Sequence, residues 1–562
     1  MKRRILSMVL CLAMVMTAFA ATACGQTDEE AMSSVGEDDA DHAMTLTIWG
    51  IKGKGTTDEA IALVEEAMSS ITEAQFNTSI KLMLYTESEY DKALEAKMDE
   101  IQAQLDKEAE EAAAKKAAEK EAKKNDTTDT TTAEETSAEE STEYADETIL
   151  DEYGLPATLY PEVEDTQLDI FLMTDYEMLM KYSEKGVLSA LDEQLSSSSK
   201  LLKSYIHPTI LSAGKVGKTT YAILNNQPIG EYTYILLNKE LMDKYYYDAD
   251  NIKSLSDAYD FIIDVGTNDK SYTPVMGDLS ALNVFYFTED GSESIIGNML
   301  PADAVAGTNG APDILPSVST WKEYIILQKK LEANKWVGAE EIKEGDKFAV
   351  GFIKGNAGDI AAYEEDYYIN VVQNPQATTE NMYNGMFAVS TYTKSLARSM
   401  EIITYLNTKS DLRNLFAYGI EGTHYELDDD GLLKMISDDY NMELAYTGNM
   451  FVAYPPEGAD PEIWEYAKAQ NLDMVLSPWY KFTWTEEQVD ADLQKAVAAL
   501  SKTFFAGLKT QTADTIEEYL NKGWDDVLAN SQAMEWYGGS ETENELTMGK
   551  VYSAWFSANY GG

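Results

Sequence analysis

Thr45-Leu-Thr-Ile-Trp49 alternates polar and apolar side chains with a period of two, the pattern of a strand with one buried face, and runs into the glycine-rich stretch Gly50 to Gly55. Thr57 to Ser70 reads as a helix and Ile80 to Leu84 as a second strand. Strand, helix and strand at this spacing predict a βαβ unit and a parallel sheet. The buried-strand pattern resumes at Gln167 to Met173.

Between those signals the pattern breaks. From Glu87 to Lys124 the chain is rich in Glu, Ala, Lys and Gln and contains no Gly or Pro, which predicts one long helix. Leu94, Met98, Ile101 and Leu105 fall on one stripe, so its first half is expected to pack; beyond Lys107 the apolar positions are only alanine, so the second half is expected to project. Asn125 to Asp146 is Thr, Glu, Ser and Asp, a composition that cannot bury a core and predicts disorder. Residues of about 100–165 therefore read as an insertion into a domain: a solvated spacer, or on a sharper reading a partner-binding coiled coil.

Ordered patterns follow. Lys218 to Leu224 is the second arm of a hairpin turned at Val216-Gly217. Tyr234 to Asn238 is an apolar strand leading into a helix over Lys239 to Tyr245. Leu255 to Val265, Thr320 to Ala333, Lys394 to Asn407, Asp411 to Tyr418 and Thr515 to Ala529 have helical periodicity. The alternation predicts an α/β architecture throughout.

Composition narrows the chemistry. The 562 residues suffice for two or three domains, and an apolar fraction of 44% supports real cores. The formal charge of −55 opposes binding to nucleic acid or anionic lipid. Cys11 and Cys24 are the only cysteines and His42, His207 and His424 the only histidines, with no metal spacing, so no cofactor and no metal site are expected. Gly214-Lys-Val-Gly-Lys-Thr-Thr lacks the first glycine of a phosphate loop, since Ser212 stands there, and reads as a turn. Asp428-Asp429-Asp430-Gly431 lacks the closing Glu of an EF-hand and reads as a surface turn. No nucleophile elbow is present, and with 98 carboxylates any acid pair is weak support for a glycosidase.

The N-terminus carries an address. Met1-Lys2-Arg3-Arg4, the apolar stretch Ile5 to Ala20 and the small residues before Cys24 form a secretory signal, residues 1–23. Ala21-Thr-Ala-Cys24-Gly resembles the lipobox of bacterial lipoproteins, with Ala21 where Leu is usual. That resemblance implies acylation of Cys24 and attachment to the outer face of the cytoplasmic membrane; plain secretion after Ala20 or Ala23 is the alternative. Residues 24–43 read as an acidic tether. No later segment offers the ~20 unbroken apolar residues of a membrane span.

Five segments in order resemble the extracellular solute-binding proteins of ABC importers, in the sugar-binding group related to maltose-binding protein and its Gram-positive lipoprotein branch. They are Thr45 to Gly55; Asp169-Ile-Phe-Leu-Met-Thr-Asp175-Tyr with Lys185 to Leu191; Glu231 to Leu241; Phe387-Ala-Val-Ser390 with Asp411 to Phe416; and Tyr418 to Tyr425. The resemblance covers about 44–99 and 165–530. It implies two α/β lobes of the periplasmic-binding-protein type joined by a hinge, 44–230 with 385–435 and 235–380 with 440–562, closing on a ligand between them. Position by position it points to Lys54, Asp175, Glu231, Trp479 and Tyr480 as sugar contacts, and to Tyr363 in place of a stacking tryptophan. Tyr176, Tyr232 and Trp49 adjoin these positions. Carboxylates would grip hydroxyls and aromatic faces would stack on pyranose C–H faces. The expected partners are a sugar or oligosaccharide, permease subunits, and the membrane through the lipid, with the protein itself a monomer and not an enzyme. A surface scaffold or adhesion lipoprotein using the Glu/Ala/Lys helix, and a wall-associated glycosidase, are the alternatives.

Overall fold

The structure, a computed structural model, describes residues 42–125, 158–279, 284–287, 294–300, 304–343, 345–484, 487–538 and 543–561. The expected signal peptide, Cys24, nearly all of the acidic tether and the segment 126–157 lie outside these residues. The chain folds as two compact units: one runs to Asn226 and resumes from Tyr383 to Ala459, the other comprises Gln227–Met382 and the chain from Asp460 onward.

Unit 1 is built on the expected βαβ start. β1 (Met44–Ile51) pairs in parallel with β2 (Thr78–Tyr85), and the helix between them, α1 (Asp58–Phe76), is capped by the Thr57 side chain, which accepts from Ala60 N–H. Asn77, at φ 50°, ends α1 in the left-handed conformation. Ile61, Val64 and Met68 recur at helical spacing and form the buried stripe of α1. β3 (Ile170–Met173) pairs in parallel with the other edge of β1, and the strands Met386–Val389 and Ala222–Leu224 extend the sheet antiparallel.

The long helix α2 (Glu87–Asn125) follows β2. Tyr90, Leu94, Met98 and Ile101 are buried, as the stripe predicts. Leu105 is 37% exposed, and every side chain from Asp106 to Lys116 is exposed, so packing stops one turn before the sequence pattern does. Tyr90 locks the base of α2: its hydroxyl donates to the Leu172 carbonyl of β3 at 2.7 Å.

One buried carboxylate ties the sheet to a later loop. Asp169 Oδ2 accepts from Thr47 N–H (2.8 Å), the Thr47 hydroxyl (2.9 Å) and Gln167 Nε2 (2.7 Å), while Oδ1 accepts from the Thr393 hydroxyl and Lys394 N–H, each at 2.8 Å. Five donors make such burial tolerable, because a carboxylate taken from water must recover its hydrogen bonds.

Residues 440–459, which the sequence assigns to the second lobe, belong to unit 1. Arg413, fully buried, explains the placement: its guanidinium donates to the carbonyls of Asn449 (3.1 Å) and Leu444 (3.0 Å). Asn225 Nδ2 also donates to the Ala445 carbonyl at 2.8 Å.

Unit 2 carries a four-stranded mixed sheet in the order Tyr367–Gln373, Tyr232–Asn238, Phe348–Gly355, Thr273–Gly277. The helices Leu255–Asn268 and Ser319–Ala333 contribute to a core with Ile235, Leu237 and Val350 from the sheet. The expected alternation of strand and helix does not persist to the C-terminus. From Ala491 on, the described elements are helices, Ala491–Lys509, Ile516–Ala529, Ser531–Tyr537 and Met548–Tyr560, which bury Phe504, Trp536 and Tyr552 in a shared aromatic core.

The two glycine-containing motifs are turns. Lys215–Val216 pairs with Thr219–Thr220 around Gly217 at φ 61°. Tyr425–Leu427 pairs with Leu433–Met435, and Gly431 N–H donates to the Asp428 carbonyl at 3.1 Å.

Candidate functional site

The carboxyl ends of the parallel strands of unit 1 converge on one region. After β1 comes the turn Lys52 to Thr56, after β2 the first residues of α2, and after β3 Asp175, which caps α3 (Tyr176–Glu184) by accepting from Met178 N–H at 2.8 Å. Loops at the carboxyl ends of such strands are where open α/β sheets bind ligands.

A cavity of 730 Å3 opens there, its lining including Lys52, Lys54, Glu87, Asn384, Glu443 and Tyr446. Lys52 Nζ lies 3.2 Å from Asp58 Oδ1. Tyr446 is half-buried; burial first, then the negative charges of Glu87, Glu443 and Asp175, hold its phenol above the usual tyrosine range. It therefore keeps its proton at neutral pH and can donate or accept a hydrogen bond. Asp91, one turn into α2, is also held above the usual carboxylate range, by partial burial and then by Asp175 and Glu95, with Lys181 opposing. Beside Asp175, the Tyr176 ring rests on Tyr383 with centroids 4.9 Å apart.

Of the residues predicted from sequence, Lys54 and Asp175 thus belong to unit 1: Lys54 lines the cavity, and Asp175 acts on the Tyr446 that lines it. Glu87, Asn384, Glu443 and Tyr446 were not predicted. Glu87 carried a usable signal, standing just past a strand that runs parallel to β1. Tyr446 carried none, because it sits in a single 3-10 turn, Leu444–Tyr446, without periodicity.

The other four predicted contacts belong to unit 2, where Tyr363 and Trp479 lie in separate apolar clusters. Glu231 is exposed at the start of the strand Tyr232–Asn238, behind Gly230, whose φ of 66° and close approach to the Gln376 backbone leave no room for a side chain. Tyr232 donates to Asp473 Oδ2 at 2.6 Å. Tyr363 packs on Phe348 and Tyr367, in the same cluster as Tyr232 and Tyr234. Trp479 packs instead with the C-terminal helices: its indole N–H donates to the Gly310 carbonyl at 3.0 Å, and its ring meets Phe482 and Tyr552 at 5.2 and 5.3 Å. Tyr480 is 7% exposed, with Lys481 Nζ over its ring.

Among the described residues no group of three or more His, Cys, Asp and Glu side chains is placed to hold a metal ion, and no helix is long and apolar enough to cross a membrane.

No family model matches the chain. Over 155 residues, 27% of its length, it is 26% identical to a carbohydrate ABC transporter substrate-binding protein of Streptococcus pneumoniae serotype 4, and the match spans 31% of that relative, under a third of its length. The crystal structure of an N-glycan transport solute binding protein (NgtS) from Streptococcus pneumoniae superposes with a TM-score of 0.51 at 14% identity, covering 92% of this chain and 99% of that one. An extracellular solute-binding protein from Bifidobacterium longum subsp. infantis superposes with a TM-score of 0.42 at 13% identity, over 92% and 99% of the two chains. The fold is similar to that of this N-glycan transport solute binding protein, and a stretch of 155 residues is similar in sequence to a carbohydrate ABC transporter substrate-binding protein.

Proposed function

We propose that this protein is the extracellular solute-binding component of a carbohydrate importer, capturing a sugar or oligosaccharide for delivery to ABC permease subunits. The observation that carries the reading is the cavity at the carboxyl ends of β1 and β2, where Lys54, Glu87, Glu443 and Tyr446 line one space. These groups suit a polyhydroxylated ligand: carboxylates accept hydroxyl hydrogen bonds, the ammonium donates, and the phenol does either. Asp175 adds a further acceptor and Tyr176 an aromatic face for a pyranose. The relationship to a carbohydrate substrate-binding protein supports the same ligand class.

On this reading the protein is a binding protein without catalytic residues, acts as a monomer, and is held at the outer face of the cytoplasmic membrane by a lipid on Cys24. Glu231, Tyr363, Trp479 and Tyr480 remain proposed contacts from unit 2, of which Glu231 is the most accessible.

A thermal-shift screen of the full mature chain against a glycan library, followed by calorimetry on the hits, tests the proposal. At least one glycan is expected to bind, and Asp175→Asn is expected to weaken it by about 1–2 kcal/mol, the contribution of a charge-assisted hydrogen bond. Saturable binding of a peptide, with none of any glycan, would overturn the sugar reading.

A further inference from the structure

The cavity wall of unit 1 is unequally charged. Its lining carries Glu87 and Glu443 against Lys52 and Lys54. Lys52 is already engaged by Asp58 at 3.2 Å, which makes that pair locally neutral. Asp175 acts on the same Tyr446 phenol as Glu87 and Glu443, so its carboxylate adds to theirs. Two carboxylates therefore line this space and Asp175 stands near enough to act on its Tyr446, with Lys54 as their main counterweight, on a chain whose formal charge is −55.

We infer that the cavity admits uncharged and amino-bearing sugars and rejects sugars carrying carboxylate or sulfate groups. The inference rests on the sugar-binding reading above and adds the charge class of the ligand. A neutral pyranose meets the carboxylates as acceptors for its hydroxyls. An acidic sugar would bring its own anion beside them as water is displaced, where like charges repel more strongly than in bulk solvent. These carboxylates are exposed, so the expected discrimination is moderate, on the order of tenfold in Kd for one added negative charge. A glucosamine ammonium would be favoured by the same field. Because Lys54 offsets the carboxylates, its removal strengthens the rejection of anions.

The test uses the full mature chain on an array of neutral, amino-bearing, sialylated, uronate and sulfated glycans, with calorimetry on matched neutral and acidic pairs. The bound set is expected to be neutral or amino-bearing, with each acidic counterpart about tenfold weaker and the gap narrowing as salt rises. An acidic glycan among the tightest ligands overturns the inference while leaving the sugar-binding reading intact. Binding of no glycan of any class overturns both. Glu87→Gln combined with Glu443→Gln is expected to narrow the gap, and Lys54→Gln to widen it. A gap unchanged in the folded double variant would assign the discrimination to other groups and overturn the role given to these carboxylates.

Discussion

Thr56 and Asn441 hold each other by two hydrogen bonds: the Thr56 hydroxyl donates to the Asn441 carbonyl at 2.9 Å and accepts from Asn441 N–H at 3.0 Å. Gly53 N–H donates to the same carbonyl at 2.7 Å, an approach so close that a Cβ on Gly53 would lie 2.5 Å from that oxygen. The turn carrying Lys54 and the loop carrying Glu443 and Tyr446 are thereby joined into one wall. Thr56→Val keeps the shape and removes both bonds of the hydroxyl. It is expected to cost about 1–3 kcal/mol of stability, read by denaturant unfolding, and to weaken glycan binding in calorimetry. Unchanged stability and affinity would show that the two segments are held together by other contacts.

Asp91 provides a pH test. Its folded carboxyl titrates above the usual range, through partial burial and the negative charges of Asp175 and Glu95. Between the unfolded and folded values the native state binds more protons than the unfolded state, so this group lowers stability as pH rises through that window. Asp91→Asn removes the penalty. The variant is expected to unfold at a slightly higher temperature than the wild type at pH 7, by a few tenths of a kcal/mol at most given its exposure, with the advantage vanishing below about pH 4. A lower Tm for Asp91→Asn at pH 7 would refute the account.

His424 titrates with the opposite consequence. It is fully buried, its Nδ1 accepts from Ile420 N–H at 2.8 Å, and burial holds its ring below the usual histidine range, with Asp439 opposing. As pH falls through the window beneath about 6.5, the unfolded chain takes up a proton that the native ring refuses, so stability is lost on acidification. Unfolding curves between pH 7 and 5 are expected to slope more steeply for the wild type than for His424→Asn, whatever the absolute stability of the variant. Parallel slopes would rule the histidine out as the cause.

Trp479 separates packing from ligand contact. Its N–H and ring are engaged within unit 2, by Gly310, Phe482 and Tyr552. Trp479→Ala is expected to cost about 2–4 kcal/mol of stability through lost packing. Calorimetry on the folded variant then reads its share of binding separately, and full stability with lost affinity would move the residue from the core to the ligand.

Local elements were legible because their signals are local. The alternation of β1, the stripe of Leu94, Met98 and Ile101 and the uninterrupted run of α2 each act within a few residues. Asp169 illustrates the limit. In sequence it is an acid at the start of an apolar run, and nothing nearby announces that Thr393 and Lys394 will supply donors to it. Residues 440–459 are harder still, being joined to unit 1 by the side chains of Arg413 and Asn225 acting on backbone carbonyls, which leave no imprint on the identity of the acceptor.

The candidate site divides along the same line. The sequence by itself determined the βαβ start, the placing of Lys54 and Asp175 just past strand ends, the long helix with its buried first half and the acidic charge, because periodicity and composition are properties of consecutive residues. Tertiary structure alone decided that Glu87, Glu443 and Tyr446 share one cavity and that Trp479 packs among the C-terminal helices. Those outcomes depend on which distant segments bury their apolar faces together and satisfy one another's hydrogen bonds, a choice made by the folded chain as a whole.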